Sequence, residues 1–348
     1  MTVKAYAAQR AGTTLEPWEY EPPPLAPFDV EIAVTHCGLC HSDVHIIRGD
    51  WGGSFPAVPG HEIVGQVVAV GSAADPTLVG QRVGVGWQAG ACLACDYCLR
   101  GEENLCAMAR HSCFGGHFGG FARLFRADSR FCHPIPPALS SAEAAPLLCA
   151  GITVYAPLKR FARAGHWRVG VVGIGGLGHL GVKFARAMGA EVTAFTTSPS
   201  KVEEARTLGA HHVVITGEPS ALRRARASLD FLLVTVNAPL DWWSYAKTLR
   251  PNGVMCFVGA AENRLDIPVS AVLNKQWVIT GGSIGGRADM RDMLAFAALH
   301  GITAHVETLP MASVNTAVQR LIANDVRYRF VLTWDGALSA ESNADAGA

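Results

Sequence analysis

Cys92-x2-Cys95-x2-Cys98-x7-Cys106 gathers four thiols into one short loop. Four thiolates so closely spaced suit a closed tetrahedral zinc site, which orders a loop and does no chemistry. Disulfides or a chance grouping are the first alternative, and a nucleic-acid-binding ribbon is a further one. The loop carries Arg100 but also Asp96, Glu102 and Glu103, so it has no basic footprint. A second group is more dispersed. Cys37-Gly-Leu-Cys40-His41-Ser42-Asp43-Val44-His45 is followed by Gly60-His61-Glu62, and Cys149 comes much later. Two thiolates and one imidazole form a soft set that suits zinc and leaves one coordination position open. An open position can hold an alcohol or carbonyl oxygen and polarise it. Spacing alone does not say which of these cysteines are ligands, and a buried cysteine taken singly is more often an inert, small apolar residue.

Such a site needs a second reactant, and Arg168–Gly189 supplies the means to bind one. An apolar run, Val169–Val172, leads into Gly173-x-Gly175-Gly176-Leu177-Gly178, and helix-period residues follow. This reads as strand, tight turn, helix. One glycine permits the turn, one lets backbone approach a pyrophosphate, and one lets helix and strand pack closely. The helix N-terminus then offers free N–H groups to the phosphates. In a site for NAD an acidic residue ends the second strand and binds the ribose 2′-hydroxyl. Here that strand ends Thr196-Thr197-Ser198, and Lys201 follows. Hydroxyl donors with a cation suit a 2′-phosphate, so the expected cofactor is NADP. Thr197 and Ser198 have a second reading as caps for the helix opened by Pro199.

The remaining elements fall into two styles. Up to about Pro137 the chain reads as short strands broken by Gly and Pro, including Val30–Thr35, Glu62–Val70 and Arg82–Gly86. A helix is predicted from Ser141 to Lys159, capped by Ser140 or Ser141, with Glu143 in its first turn. Strand and helix then alternate regularly, with strands at Val169–Val172, Glu191–Thr196, His212–Ile215, Phe231–Val236 and Val254–Val258, so a parallel, doubly wound sheet is expected. The apolar segment Gln276–Thr280 follows, then a helix over Met290–Leu299. The tail Thr303–Thr333 reads strand, helix, strand and is expected to return to the first domain. Residues 1–150 and 288–348 thus form a β-rich domain, and 151–287 a cofactor domain.

Bulk properties narrow the field. The 348 residues suggest two domains, and the formal net charge of zero gives no reason to expect nucleic acid or an anionic membrane as partner. There is no secretory h-region at the start and no run of about 18 apolar residues. Seven of the ten cysteines fall in the two metal-like groups, which points to thiolate ligands in a reducing, cytoplasmic compartment. Low-complexity sequence is confined to the Pro-rich Glu21–Pro27 and the small-residue tail Ser339–Ala348.

Taken together, CGLCHSDVH, PGHEIVG, the Cys92–Cys106 loop, APLLCAGITVY, VGIGGLGHLGVKFARAMGAEVTAF and the late DVRYRFVL resemble the zinc-dependent medium-chain alcohol dehydrogenases over nearly the whole chain. Within them the sequence is similar to the cinnamyl alcohol dehydrogenases and the bacterial aldehyde reductases. The resemblance implies a GroES-like catalytic domain and a Rossmann cofactor domain. It implies Cys40, His61 and Cys149, and not Cys37, as ligands of a catalytic zinc, with Glu62 beside the metal and Asp43 behind the ligand histidine. It implies Ser42 and His45 as a proton relay, and Cys92, Cys95, Cys98 and Cys106 as the structural zinc lobe. It implies a cofactor site at Gly173, Gly175, Gly176, Leu177, Gly178, Thr196, Thr197, Ser198, Lys201, Val258 and Gly259, and a substrate pocket walled by Trp51 and Trp87. Two zinc ions and one NADP(H) per chain, small alcohols or aldehydes as substrates, and a homodimer joined near Gln276–Thr280 complete the expectation. A zinc-free reductase, an NAD-preferring dehydrogenase of the same fold and a non-catalytic cofactor-binding protein are the competing readings; the ligand set argues against the first and the third. The stretch His111–Ala122 departs from the plant members, and His111 and His117 have no assigned role.

Overall fold

The computed structural model describes residues 2–162, 165–218, 220–260 and 264–334. These divide into two compact units. One gathers the described residues of Met1–Cys149, Gly286–Ala298 and Thr303–Ala348; the other spans Ala150–Gly285 and Leu299–Ile302.

The first unit is built on a twisted sheet with spatial order Val306–Pro310, Arg329–Thr333, Asp29–Leu39, Glu62–Val70, Arg82–Val85 and His133–Pro134; Leu124–Asp128 also pairs with Asp29–Leu39. The pairing of Arg329–Thr333 against the end of Asp29–Leu39 is antiparallel, with Phe330 opposite Leu39 and Leu332 opposite Cys37. Ile32, Ile63, Phe121, Phe125 and Phe330 are fully buried at its centre, each contributing roughly 1.5–3 kcal/mol of burial. One short helix, His41–Arg48, grows directly from the end of that central strand. Cys40 caps it in extended conformation, the Asp43 carboxylate accepts the Cys40 N–H, and Gly49 closes it at φ 74°.

The second unit holds a six-stranded parallel sheet ordered His212–Ile215, Glu191–Thr196, Arg168–Val172, Leu229–Val234, Leu249–Phe257, Val278–Gly281. Numbered along the chain this is 3-2-1-4-5-6, the doubly wound dinucleotide-binding order. Its strands are apolar on both faces; all six residues of Leu229–Val234 are buried.

Several boundaries differ from the sequence reading: the strand expected at Val254–Val258 starts at Leu249, that at Phe231–Val236 is Leu229–Val234, and that at Val30–Thr35 runs over Asp29–Leu39. Three further differences have a local cause. The single helix expected over Ser141–Lys159 is two: Ser141–Ala144 runs into a tight turn at Ala145–Leu148, and a new helix begins at Ala150. The break is Cys149, whose φ −123° and ψ −71° are not helical. Pro146 lacks the N–H that would continue the ladder. The apolar segment predicted over Gln276–Thr280 is a strand only from Val278 to Gly281, because Gln276 adopts φ 53° to terminate the helix Val269–Lys275. The helix expected from Met290 begins earlier, at Arg287, and runs to His300. The tail Ser339–Ala348 lies outside the described residues.

Candidate active site

Cys40, His61 and Cys149 come from three separate elements of the first unit. Cys40 caps the helix His41–Arg48, His61 immediately precedes the strand Glu62–Val70, and Cys149 sits at the helix break. Their ligand atoms, with one of the Glu62 carboxylate, all lie within 4.8 Å of one another, and Cys37 is not among them. Cys37 is buried elsewhere, its Sγ 2.8 Å from where a Cβ on Gly60 would stand. Structure thus separates the two thiols that spacing left open.

One carboxylate organises the group. Asp43 is fully buried and accepts the N–H of Cys40 (2.8 Å), the N–H of Gly60 (2.9 Å) and the Nδ1–H of His61 (3.0 Å). The bond to His61 fixes the ring orientation and tautomer, leaving the Nε2 lone pair free to bind a metal. His61 Nε2 is buried with no hydrogen-bond partner among the described residues. An orphaned imidazole nitrogen beside two thiols is a costly arrangement for an apo protein. The Cys40 thiol is held well below its usual range by the hydrogen bond from Cys149, while the same contact pushes Cys149 up. Two sulfurs competing for one proton, with a free imidazole lone pair, fit a soft divalent cation such as zinc.

Glu62 stands behind this set. Its carboxylate pairs with Arg329, and both side chains are buried. Burial pushes the Glu62 carboxyl up to about 7, against the pull of Arg329. Gly38 makes the room: a Cβ there would lie 1.9 Å from Glu62 Oε2. The sequence reading missed Arg329, although it lies in the late DVRYRFVL motif; a lone arginine 267 residues from its partner carries no local signal.

The hydroxyl of Ser42 lies 3.8 Å from Cys40 Sγ. His45, on the next turn, is held through Nδ1 by Asp50 at 2.7 Å, and both side chains are partly exposed. Asp50 is a second residue the sequence reading missed. Trp51 stacks on His45 with ring centroids 4.9 Å apart. Trp87 stands edge-on to His61 at 4.9 Å and to Trp51 at 6.0 Å. Trp51 is 44% exposed, while Trp87 is half-buried and packs against the small buried cluster of Ile46, Ala57 and Cys113.

Away from this centre, the sulfurs of Cys92, Cys95, Cys98 and Cys106 converge within 4.8 Å, and all four are free thiols. Cys92 lies 3.8 Å from Cys98 and 3.5 Å from Cys106. Four sulfurs each about 2.3 Å from one zinc would stand about 3.8 Å apart. N–H groups of Ala94 and Cys95 pull the Cys92 thiol down to about 6. The buried Glu103 then ties the lobe to the helix Arg287–His300, accepting from Arg287 Nε at 2.7 Å and from its backbone N–H at 3.0 Å.

In the second unit the glycines divide their tasks as expected. Gly173 turns the chain at φ 88°; a Cβ on Gly178 would meet the Gly173 carbonyl at 1.8 Å; a Cβ on Gly175 would meet nothing within 4 Å, leaving the open backbone a pyrophosphate needs. The hydroxyl of Thr235, not singled out from sequence, donates to the carbonyls of Val172 and Gly173 and pins this turn. Val258 and Gly259 both donate to the Val234 carbonyl at the end of the neighbouring strand. Thr196 is buried and Thr197 exposed. Ser198 makes no side-chain cap; its Oγ lies 2.7 Å from Ser200 Oγ, and Lys201 Nζ donates to the Ile174 carbonyl at 2.7 Å. The cap reading of Ser198 is therefore set aside.

Comparison with known proteins agrees with this geometry. Residues 26–137 match the family described as Alcohol dehydrogenase GroES-like domain, and residues 176–298 match Zinc-binding dehydrogenase. The chain is 42% identical over 332 residues to aldehyde reductase AdhA of Synechocystis, covering 95% of this chain and 98% of that one. It belongs to the zinc-dependent medium-chain alcohol dehydrogenases. Among solved structures, this dehydrogenase superposes on a cinnamyl alcohol dehydrogenase from Sorghum bicolor with a TM-score of 0.90 at 38% identity, covering 96% of this chain and 98% of that one. It also superposes on the Helicobacter pylori enzyme complexed with NADP(H), with a TM-score of 0.88 at 30% identity and the same coverage. It is an oxidoreductase that interconverts alcohols and aldehydes. Among the described residues no single helix is long and apolar enough to cross a membrane.

Proposed function

We propose that this dehydrogenase works mainly as an NADPH-dependent reductase of aromatic and aliphatic aldehydes. The observation that carries the reading is the free Nε2 of His61, aimed by Asp43 into the space shared with Cys40 and Cys149. Cys40, His61 and Cys149 would hold the catalytic zinc, and Cys92, Cys95, Cys98 and Cys106 the structural one. When bound, zinc supplies a Lewis acid for the substrate oxygen and NADPH supplies the hydride. Ser42, whose hydroxyl lies 3.8 Å from Cys40 Sγ, would carry the proton that the substrate oxygen gains. His45, oriented by Asp50, takes that proton out toward solvent. Trp51 and Trp87 offer ring faces and edges to the substrate body, exclude water from one side and impose little size discrimination. Glu62, paired with Arg329, places a buried carboxyl group beside the ligand set.

The NADP assignment rests on Thr196, Ser198, Ser200 and Lys201 at the end of the second parallel strand, where three hydroxyls and one ammonium suit a phosphate and the strand itself ends in threonine rather than an acidic residue. The relative from Helicobacter pylori, complexed with NADP(H), supports the same choice. Initial rates of benzaldehyde reduction with NADPH and with NADH at matched concentrations test the reading: a strong preference for NADPH supports it, and equal rates overturn the cofactor assignment.

A homodimer is the proposed assembly. Among the described residues Val278–Gly281 is the outer strand of its sheet, and Val278, Val269 (81% exposed) and Leu273 are exposed apolar side chains, the last two on the preceding helix. Light scattering at the mass of one chain would count against it. The ten free cysteines favour a reducing, cytoplasmic setting, and oxidised cysteines in protein isolated from its native cell would argue otherwise.

A further inference from the structure

The carbonyls from Val172 to Gly175 are each held by a side chain. The Thr235 hydroxyl lies 2.8 Å from the Val172 carbonyl and 3.1 Å from that of Gly173. Lys201 Nζ donates to the Ile174 carbonyl at 2.7 Å. The Gly175 carbonyl accepts from His179 twice, from the backbone N–H and from the ring Nδ1–H, both at 3.0 Å. In a trans peptide the C=O and the next N–H point opposite ways. Holding the carbonyls of Gly173, Ile174 and Gly175 therefore turns the N–H groups of Ile174, Gly175 and Gly176 away from these braces. None of the three makes a backbone hydrogen bond among the described residues. Successive N–H groups left open in this way suit an anion with several oxygens.

His179 sits in the first turn of the helix Gly178–Ala187 and has no exposed surface. Leu180, Val182, Phe184 and Ala185, which follow it in the helix, are equally buried, so one imidazole stands in an otherwise apolar set. Burying such a group is costly unless it is hydrogen-bonded. A carbonyl can only accept, so Nδ1 carries the proton. The peptide it holds is one that little else restrains. Gly175 has no side chain, and a Cβ there would meet nothing within 4 Å, so packing does not fix its orientation. The ring of His179 does.

We propose that His179 is a positioning residue for the cofactor: by holding the Gly175 carbonyl it keeps the N–H of Gly176 turned outward for the diphosphate. This inference rests on the cofactor reading above. It concerns the diphosphate, which NADPH and NADH share, and not the 2′-phosphate that tells them apart. Losing the hydrogen bond that preorganises this donor is worth roughly tenfold in Kd.

The test measures binding rather than turnover, by titration calorimetry on the zinc-loaded full-length protein. The probes are NADPH, NADH and adenosine 2′-monophosphate, which carries the 2′-phosphate but no diphosphate. His179→Leu keeps an apolar bulk in the helix and removes the donor. It is expected to weaken NADPH and NADH by the same factor, roughly tenfold, and to leave adenosine 2′-monophosphate as in the wild type. His179→Asn places an N–H where Nδ1 stood and is expected to bind NADPH nearly as the wild type does. His179→Ala serves in place of the leucine variant should that one misfold. Unchanged NADPH affinity in the apolar variant, equal weakening of all three probes, a shifted ratio of NADPH to NADH affinity, or an asparagine variant as weak as the leucine one would each overturn the proposal. No binding of NADPH by the wild type would overturn the cofactor reading, and this inference with it.

Discussion

Asp43 Oδ1 lies 3.0 Å from His61 Nδ1, and neither side chain has any exposed surface. The same carboxylate also accepts the backbone N–H groups of Cys40 and Gly60. One buried side chain thus sets the cap of the helix that carries Ser42 and His45, the entry to the strand that follows His61, and the ring of His61 itself.

Replacing Asp43 with Asn should loosen all three. The amide keeps one acceptor oxygen and points a donor where an acceptor is needed. Removing such a partner of a metal-binding histidine typically costs about 10–100-fold in metal affinity. Competition with a chromogenic chelator reads the affinity directly. Zinc retention equal to the wild type would show that Asp43 does not orient His61.

Arg329 and Glu62 pair out of contact with solvent, between the last strand and the residue following His61. Removing one member of a buried pair leaves an uncompensated charge at a cost of about 3–5 kcal/mol. Arg329→Leu should lower stability by that order in urea denaturation. Adding Glu62→Gln to it should restore part of the loss, so that the double variant is less unstable than the sum of the singles. Strict additivity would mean that the two residues do not depend on one another.

Thr196→Asp places a carboxylate where the account puts a phosphate. The like charge should shift the ratio of kcat/KM for NADPH over NADH by roughly 100-fold toward NADH, on the order of 3 kcal/mol. Steady-state kinetics with both cofactors check it. A variant that still prefers NADPH as the wild type does would remove Thr196 from the phosphate site.

His133 gives the fold an acid limit. It is 5% exposed, and burial, with Arg291 and Arg287 nearby, lowers it to about 4. In an unfolded chain a histidine titrates near 6.5. Between the two values the unfolded chain binds more protons, so acid favours unfolding. This contribution to stability is complete above about 6.5 and falls as pH drops toward 4, by up to about 3 kcal/mol. Denaturant midpoints taken from pH 7 to pH 4.5 should fall, and His133→Leu should flatten the slope. An unchanged slope in that variant would exclude His133 as the sensor.

The sequence made the second unit largely readable because its signals are local. An apolar run before spaced glycines, and β-branched strands alternating with helical periods, need no distant partner to be recognised. The four-cysteine lobe was readable for the same reason. The catalytic group is assembled from far-apart stretches, and what escaped follows from that. Arg329 is defined only by Glu62 across the sheet. Thr235 acts on a turn 62 residues earlier. The helix break at Cys149 had a local signal in Pro146, which the apolar helical period on either side outweighed in the sequence reading. Asp50 was within reach, five residues from His45, but an acidic residue beside glycines and tryptophan reads as an ordinary turn.

The central claim is that Cys40, His61 and Cys149 hold a zinc ion that the chemistry requires, separate from the one at Cys92, Cys95, Cys98 and Cys106. Native mass spectrometry of the wild type and of Cys149→Ser, with NADPH-dependent benzaldehyde reduction measured on the same samples, tests it most directly. The account predicts two zinc ions per chain in the wild type, one in the variant, and loss of reduction in the variant while its circular dichroism stays native. Two retained zinc ions, or undiminished reduction with one, would contradict it.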